Sequence, residues 1–280
     1  MIIKKTVGIM LAAALAGFVG VGGYALFLLK KRPPLTLYES RRAQPDFVPL
    51  EKIPEKQILL ILRQEDRVFY EHPGYNMELI RRAWKTNLQE KRIVRGGSTI
   101  TQQLAKNLYL RFTKTFLRKA TELLIALTLE RELGKDRILE LYVNIIYFGN
   151  GVYGISDAAG FYFGKDVKAL SLNQMIMLSL LPQAPTAGNP IQHPEVFERL
   201  RNRNLSLLRQ YEPQLITAEE EADILSHDAA HLDPELRKQD DFTRSYPQTV
   251  PMINERFGPL SGRADTGRRR PETGFPEDTK

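Results

Sequence analysis

The sequence of 280 residues contains no cysteine, four histidines and one tryptophan. Without cysteine, neither a disulfide framework nor a cysteine-ligated metal site can form. The histidines do not follow the spacing of a metal site, so we expect His72 to be packed or hydrogen-bonded rather than a ligand. Alternating strand patterns are few, and no internal repeat is present. The scarcity of strand patterns favours a mainly helical domain.

Acidic residues are outnumbered, because 33 Asp and Glu stand against 40 Lys and Arg. The formal charge of +7 suits a phosphate-bearing partner: nucleic acid, an anionic lipid headgroup or a lipid-linked diphosphate. No motif of a nucleic-acid-binding domain is present, so nucleic acid is the weakest of these partners.

The N-terminus contains an uncharged run from Val7 to Leu29, with basic residues on both sides. Its 23 residues are enough to cross a hydrocarbon core of about 30 Å. We therefore expect residues 1–32 to be an uncleaved signal anchor with a single transmembrane helix. The alternative is a signal peptide removed near Ala14-Leu15-Ala16. The length and position of the run argue against a third interpretation, a buried core helix.

The rest of the chain divides into three segments. Pro33-Pro34 ends the anchor, and residues 33–52 have the composition of a polar linker. Residues 53–210 are mostly helical in pattern and form the predicted catalytic domain. Residues 211–280 are a C-terminal extension, in which Thr217-Ala218-Glu219-Glu220 has the pattern of a helix start. The composition from about residue 258 predicts a disordered tail.

Local patterns within the domain predict several elements. Met77 to Glu90 has the pattern of an amphipathic helix. Ala120 to Tyr147 is a long apolar-rich stretch that Gly134 interrupts, and Leu172 to Leu181 is a short buried helix. Turns are expected at Phe148-Gly149-Asn150-Gly151 and at Phe163-Gly164-Lys165.

Residues Gly96 to Lys106 read GGSTITQQLAK and predict a helix start after a tight turn. Thr99 and Gln102 have the spacing of a capping box. A helix N-terminus attracts anions, and two preceding glycines allow a ligand to approach the backbone closely. The segment therefore indicates either an anion site or an ordinary capped helix.

Cations follow this segment at Lys106, Lys114, Arg118 and Lys119, among aliphatic and aromatic residues. Such a mixture suits a membrane interface at which cationic heads meet phosphate groups. The alternative is a solvated basic loop.

Two acids are candidates for catalysis. Glu65 lies among apolar residues, where it is either a base for a sugar hydroxyl or a solvated acid in a charged turn. Glu122 lies one helical turn after Arg118, and the two residues are expected to pair, in a functional site or as a surface ion pair. We interpret Glu130 and Glu140 as structural.

Five ordered motifs in this chain resemble those of the peptidoglycan glycosyltransferase family, glycosyltransferase family 51. This family comprises the transglycosylase module of bifunctional penicillin-binding proteins and the monofunctional transglycosylases. The resemblance covers roughly residues 45 to 210. The motifs are Glu65-Asp66-x-x-Phe69-x-x-His72-x-Gly74, Gly96 to Gln103, Arg118-Lys119-x-x-Glu122, Ile138 to Asn144, and Gly154 to Ala159 with Tyr162 to Lys165.

The resemblance implies a mainly α, lysozyme-like fold with a larger lobe and a smaller, membrane-proximal lobe. It also implies the reaction. The family polymerises lipid II into glycan strands outside the cytoplasmic membrane, with inversion at the donor sugar. The growing lipid-linked chain is the donor, undecaprenyl diphosphate leaves, and the GlcNAc 4-hydroxyl of lipid II attacks.

Roles carried over by motif make Glu65 the general base and Glu122 the second acid, for positioning or leaving-group assistance. The resemblance leaves room for a divalent cation, magnesium or manganese, at the diphosphate. It implies no other cofactor, and we find no dedicated metal motif. The expected substrate-binding residues are Ser98, Thr99, Gln102, Lys106, Lys114, Arg118 and Lys119.

The chain contains neither the Ser-x-x-Lys nor the Lys-Thr-Gly motif of a transpeptidase module, and about 70 residues follow Gln210. We therefore expect a monofunctional enzyme in the bacterial inner (cytoplasmic) membrane, single-pass, with its catalytic domain on the periplasmic or extracellular side. The sequence leaves open whether other cell-wall synthesis proteins are partners. The alternatives are a lysozyme-like glycan-cleaving enzyme, against which the cations argue, and an inactive cell-wall scaffold, against which the two acids argue.

Overall fold

The structure is a computed structural model, and it describes residues 17, 19–90, 96–110, 116–186 and 188–226 of the chain. Within these ranges the chain is helical, with three short 3-10 helices and one isolated antiparallel bridge between Tyr147 and Tyr153. The mainly helical prediction is confirmed, whereas the lysozyme-like, two-lobed arrangement stays a prediction. The helices are α1 (19–31), α2 (Pro34–Arg42), α3 (Glu55–Glu65), α4 (Met77–Gln89), α5 (Ile100–Tyr109), α6 (Phe116–Ile145), α7 (Ile155–Phe163), α8 (Leu172–Leu180), α9 (Pro194–Tyr211) and α10 (Ala218–Ser226).

The long helix α6 lies at the centre of the domain and packs against α2 and α5. Its backbone leaves helical geometry at Gly134, where φ is 74° and ψ is 170°, as the interrupted pattern predicts. Glycine adopts this positive φ readily because it has no Cβ. Side chains such as Ile125, Leu129 and Tyr142 are fully buried and join one core with α3, α5, α7 and α8.

Residues 33–52, predicted as a polar linker, contain α2 and a 3-10 helix at Leu50–Lys52 that both contact α6. Leu37 and Tyr38 of α2 are buried in the core. Asn144 of α6 exchanges two hydrogen bonds of 2.8 Å with the backbone of Val48. This segment is therefore packed structure, because its apolar residues recur on one face of a helix among polar ones.

Helix α1 has a buried face formed by Val21, Ala25 and Leu29. The Tyr109 hydroxyl of α5 donates a 2.8 Å hydrogen bond to the carbonyl of Arg32, just after α1. None of the helices that the structure describes has both the length and the apolar character needed to cross a membrane. Residues 7–16 and 18 of the predicted span lie outside the described residues.

Helix α4 confirms the predicted amphipathic helix and is capped by Asn76, whose side chain accepts a 3.0 Å hydrogen bond from the Leu79 amide. Helix α8 confirms the predicted short buried helix, and positive φ angles at Gly149, Asn150, Gly151 and Gly164 confirm the predicted turns. Thr217 precedes α10 and forms the expected capping box with Glu220. The tail predicted from about residue 258 lies outside the described residues.

Candidate active site

Glu65 is the last residue of α3, and its two carboxylate oxygens differ in their surroundings. Oε2 accepts a 2.7 Å hydrogen bond from the Gln103 side chain of α5. Oε1 is buried and has no hydrogen-bond partner among the described residues. Burial raises the pKa of Glu65, against the opposing effects of Gln103, Tyr142 and Lys106. One oxygen is thus anchored, and the other is left to accept a proton.

Gln103 and Tyr142 set the position of the Glu65 carboxylate, and the sequence analysis missed both. The Tyr142 hydroxyl donates to Gln103 Oε1 at 3.3 Å, so the amide nitrogen of Gln103 faces Glu65. Tyr142 is fully buried, and this burial raises the pKa of its phenol well above the usual range. The available signal was helical spacing, because Gln103 lies three residues before Lys106 and shares its face of α5.

Asp66 connects the end of α3 to the start of α5. Its Oδ2 accepts hydrogen bonds from His72 Nε2 at 2.8 Å and from the Ile100 amide at 3.0 Å. His72 Nδ1 accepts a 3.1 Å hydrogen bond from the Gly74 amide, which leaves the Nε2 proton directed at Asp66. His72 is therefore hydrogen-bonded rather than a metal ligand, as predicted.

The start of α5 is a capped helix, the second of the two interpretations of the GGSTITQQ segment. Thr99 and Gln102 form both hydrogen bonds of a capping box, and both residues are buried. The Ile100 amide donates to the Asp66 carboxylate, so an acid of the domain itself already lies at this helix start. An external anion site here stays a prediction. Substrate binding by the Thr99 and Gln102 side chains stays a prediction.

Gly97 lies where the backbone before α5 passes close to α4. A Cβ atom at this position would lie 3.0 Å from the Leu79 carbonyl oxygen and 3.1 Å from the Ala83 Cβ of α4. A larger residue would therefore be tightly packed here, and glycine permits the close approach of the two backbones.

A cluster of cations surrounds Glu122 at the start of α6. Arg118 Nη1 lies 3.1 Å from Glu122 Oε2, and Lys119 donates to Glu122 Oε1. Lys119 Nζ also donates to Ser98 Oγ at 2.8 Å, which joins the turn before α5 to α6. Because Glu122 is only 2% exposed, this arrangement differs from the surface ion pair considered above. Removing one partner of such a buried pair leaves an uncompensated charge.

Lys106 of α5 is close enough to both candidate acids, Glu65 and Glu122, for their charges to act on its amine. Burial and the neighbouring Arg118 and Lys119 lower the pKa of its amine, while Glu122 and Glu65 raise it. Its amine forms no hydrogen bond or ion pair with a described residue, so it is free to bind an anionic ligand. Charge neutralisation by a ligand diphosphate would relieve the repulsion among these cations.

The structure thus brings together six of the predicted site residues: Glu65, Ser98, Lys106, Arg118, Lys119 and Glu122. Lys114, the remaining one of the four predicted binding cations, lies outside the described residues. Both Glu122 oxygens are engaged by cations of α6. Among the described residues, no group of three acidic or histidine side chains forms a candidate metal cluster.

The model of the Transglycosylase family matches residues 33–210 of this chain. The chain belongs to the transglycosylase family. The resemblance to peptidoglycan glycosyltransferases inferred from the five motifs is therefore confirmed, and this family is one of enzymes. The matched region begins at α2 and includes every residue of the site described above.

Relatives of this transglycosylase domain occur in chains of different length. A Cupriavidus necator protein that carries the provisional name transglycosylase is 39% identical over 71% of this chain and 85% of its own. Penicillin-binding protein 4 of Bacillus subtilis is 39% identical, and penicillin-binding protein 1A of Aquifex aeolicus is 48% identical. The alignments with these two cover 76% and 62% of this chain, but only 33% and 24% of the relatives.

Proposed function

We propose that the protein is a membrane-anchored, monofunctional peptidoglycan glycosyltransferase that polymerises lipid II. The observation that carries this proposal is the half-satisfied Glu65 carboxylate, with Lys106 acting both on it and on the Arg118, Lys119 and Glu122 cluster. A raised pKa brings a carboxylate nearer to neutral pH, which makes it a better proton acceptor. The cations stabilise negative charge that develops on a departing diphosphate.

In the proposed reaction, Glu65 Oε1 accepts the proton of the 4-hydroxyl of the acceptor GlcNAc. The hydroxyl oxygen attacks C1 of the donor sugar and forms the new glycosidic bond. The bond between C1 and the diphosphate oxygen breaks, and undecaprenyl diphosphate leaves with the electron pair. Attack opposite the leaving group inverts the configuration, so no covalent enzyme intermediate forms.

Lys106, Arg118 and Lys119 hold the donor diphosphate in this proposal, and Ser98 orients Lys119. Glu122 keeps the two α6 cations in place through its buried ion pairs. Lys114 adds to this cluster on the basis of the family resemblance. A divalent cation at the diphosphate remains a further expectation, and no step above depends on it.

Contact with a membrane is supported by the exposed surface of α4. Met77, Trp84 and Leu88 are 65%, 72% and 68% exposed, which is unusual for large apolar side chains. Arg81 and Lys85 lie on the same helix and suit lipid phosphate groups. We propose that this surface lies in the outer leaflet of the cytoplasmic membrane, to which the uncharged run of residues 7–29 anchors the chain.

The absence of Ser-x-x-Lys and Lys-Thr-Gly motifs from these 280 residues supports the monofunctional part of the proposal. The penicillin-binding relatives extend well beyond the region that aligns with this chain. We propose that polymerisation, without peptide cross-linking, is the activity of the residues present here.

The test is polymerisation of labelled lipid II in detergent by wild type, Glu65→Gln and Glu71→Gln, with muramidase digestion of the product. Glu71 is an exposed acid in the same segment and serves as the matched control. We expect digestible polymer from wild type and Glu71→Gln only. Cleavage of preformed glycan by wild type would instead support the lysozyme-like alternative, and a wild type that binds lipid II without either activity would support the scaffold.

A further inference from the structure

The chain beyond the matched family region forms a folded arm. The family model ends at residue 210, whereas α9 continues to Tyr211 and is followed by a turn and α10. Leu215, Ile216 and Ile224 of this segment are buried in the core of the domain. Residues 211–226, here named the C-terminal arm, are therefore an integral part of the domain.

The C-terminal arm contacts both ends of α3, the helix that ends at Glu65. At the catalytic end, the Tyr211 ring lies 5.8 Å from the guanidinium carbons of both Arg63 and Arg67. Glu212 Oε1 lies 3.5 Å from Arg63 Nε, whose side chain is only 7% exposed. At the opposite end, the α10 residue Glu220 pairs with Lys56 at 2.8 Å.

The arm and the active site hold the last turn of α3 from opposite directions. Successive residues of a helix are about 100° apart, so Arg63 and Glu65 are separated by about 200° around the helix axis. Gln103 contacts the Glu65 face, and Tyr211 with Glu212 contacts the Arg63 face. The helix ends at Glu65, and its last backbone hydrogen bond is the 2.8 Å bond from the Asp66 amide to the Leu62 carbonyl.

We propose that the C-terminal arm is a positioning element for catalysis, in which Tyr211 and Glu212 clamp Arg63 and thereby fix the Glu65 carboxylate against the acceptor hydroxyl. This inference rests on the proposed role of Glu65 as the base. Because a displacement of about 1 Å can cost up to about a hundredfold in rate, even a small loosening of α3 is measurable. The diphosphate-binding cations lie on α5 and α6, so loosening α3 affects turnover more than substrate affinity.

The test compares full-length Tyr211→Ala, Tyr211→Phe and Glu212→Gln with wild type in lipid II polymerisation. Arg209→Gln is the matched control, because it breaks the 3.0 Å ion pair of α9 with Glu221 without removing a contact to α3. We expect kcat to fall about tenfold in Tyr211→Ala and about threefold in Glu212→Gln, with KM changed less than about twofold. Tyr211→Phe keeps the ring and should retain wild-type kcat.

Thermal unfolding of each variant separates positioning from a purely structural role. If kcat per folded molecule is unchanged in Tyr211→Ala and Glu212→Gln while only Tm falls, the positioning role is overturned. Equal losses in Tyr211→Phe or Arg209→Gln would overturn it as well. Wild type and Glu65→Gln are included in the same assay. If wild type polymerises lipid II, Glu65→Gln is inactive and the arm variants are fully active, only the positioning role of the C-terminal arm is refuted. If Glu65→Gln is active, the proposed function is refuted, and the positioning role falls with it.

Discussion

Replacing Gln103 by leucine tests how the protein controls the basicity of Glu65. The Gln103 amide donates the 2.7 Å hydrogen bond that stabilises the ionised carboxylate at Oε2. Leucine fills a similar volume but has no donor, so burial continues to raise the pKa of Glu65 while one opposing interaction is lost. The pKa should therefore rise further.

The size of this rise follows from the strength of the hydrogen bond. A hydrogen bond to a charged group contributes about 1.5–3 kcal/mol, and one pKa unit corresponds to about 1.4 kcal/mol. The loss alone would raise the pKa of Glu65 by about one to two units. The Tyr142 hydroxyl already lowers the pKa of Glu65 in the wild type; in the variant it loses Gln103 as an acceptor, and its stronger interaction with Glu65 offsets part of the loss. We therefore expect a rise of about one unit.

The assay is the pH dependence of kcat/KM for lipid II polymerisation. Glu65 must be ionised to accept a proton, so activity falls as the pH decreases through its pKa. The acidic limb should move to higher pH by about one unit in Gln103→Leu. Asn107→Leu, one turn further along α5 and without a side-chain hydrogen bond to a described residue, should leave the limb in place. A limb that is unchanged in Gln103→Leu, or that moves to lower pH, would refute this reasoning.

Three further predictions concern binding and stability. Lys106→Gln should lower kcat/KM about a hundredfold without changing Tm, because the Lys106 amine has no partner among the described residues. Steady-state kinetics and calorimetry measure the two quantities, and kinetics equal to those of wild type would exclude Lys106 from the site. Asp66→Ala should lower the free energy of unfolding by about 2 kcal/mol, since the His72 ring and the first amide of α5 lose their acceptor; urea denaturation measures the loss, and an unchanged midpoint would contradict it. Gly97→Ala should lower the free energy of unfolding by about 1–3 kcal/mol, because the added methyl group would press on the Leu79 carbonyl of α4. Wild-type stability of this variant in the same urea denaturation experiment would contradict the prediction.

Local sequence patterns predict much of the fold because capping, breaking and periodicity act between neighbours in the chain. The Thr99–Gln102 capping box, the interruption at Gly134, helix α4 and the capped start of α10 are all found in the structure. The polar composition of residues 33–52 predicts a linker, but composition does not reveal that Leu37 and Tyr38 of α2 are buried and that α2 packs against α6.

The candidate site could be predicted as a set of residues but not as an arrangement. The family motifs contain Glu65 and Glu122, yet the choice between Gln102 and Gln103 depends on which face of α5 meets α3. The two glutamines are adjacent in the sequence, but Gln102 caps α5 whereas Gln103 donates a hydrogen bond to Glu65. Likewise, the uncharged GGSTITQQ segment does not reveal that Asp66, which is distant in sequence, accepts a hydrogen bond from the Ile100 amide at the start of α5.

The most direct test of the central claim is to measure lipid II binding and lipid II polymerisation on the same preparation of Glu65→Gln. The account predicts that binding stays within about twofold of wild type, because the diphosphate is held by cations on α5 and α6, while polymer is undetectable. Polymerisation by Glu65→Gln at a rate near that of wild type would contradict the assignment of Glu65 as the base and, with it, the account of the site.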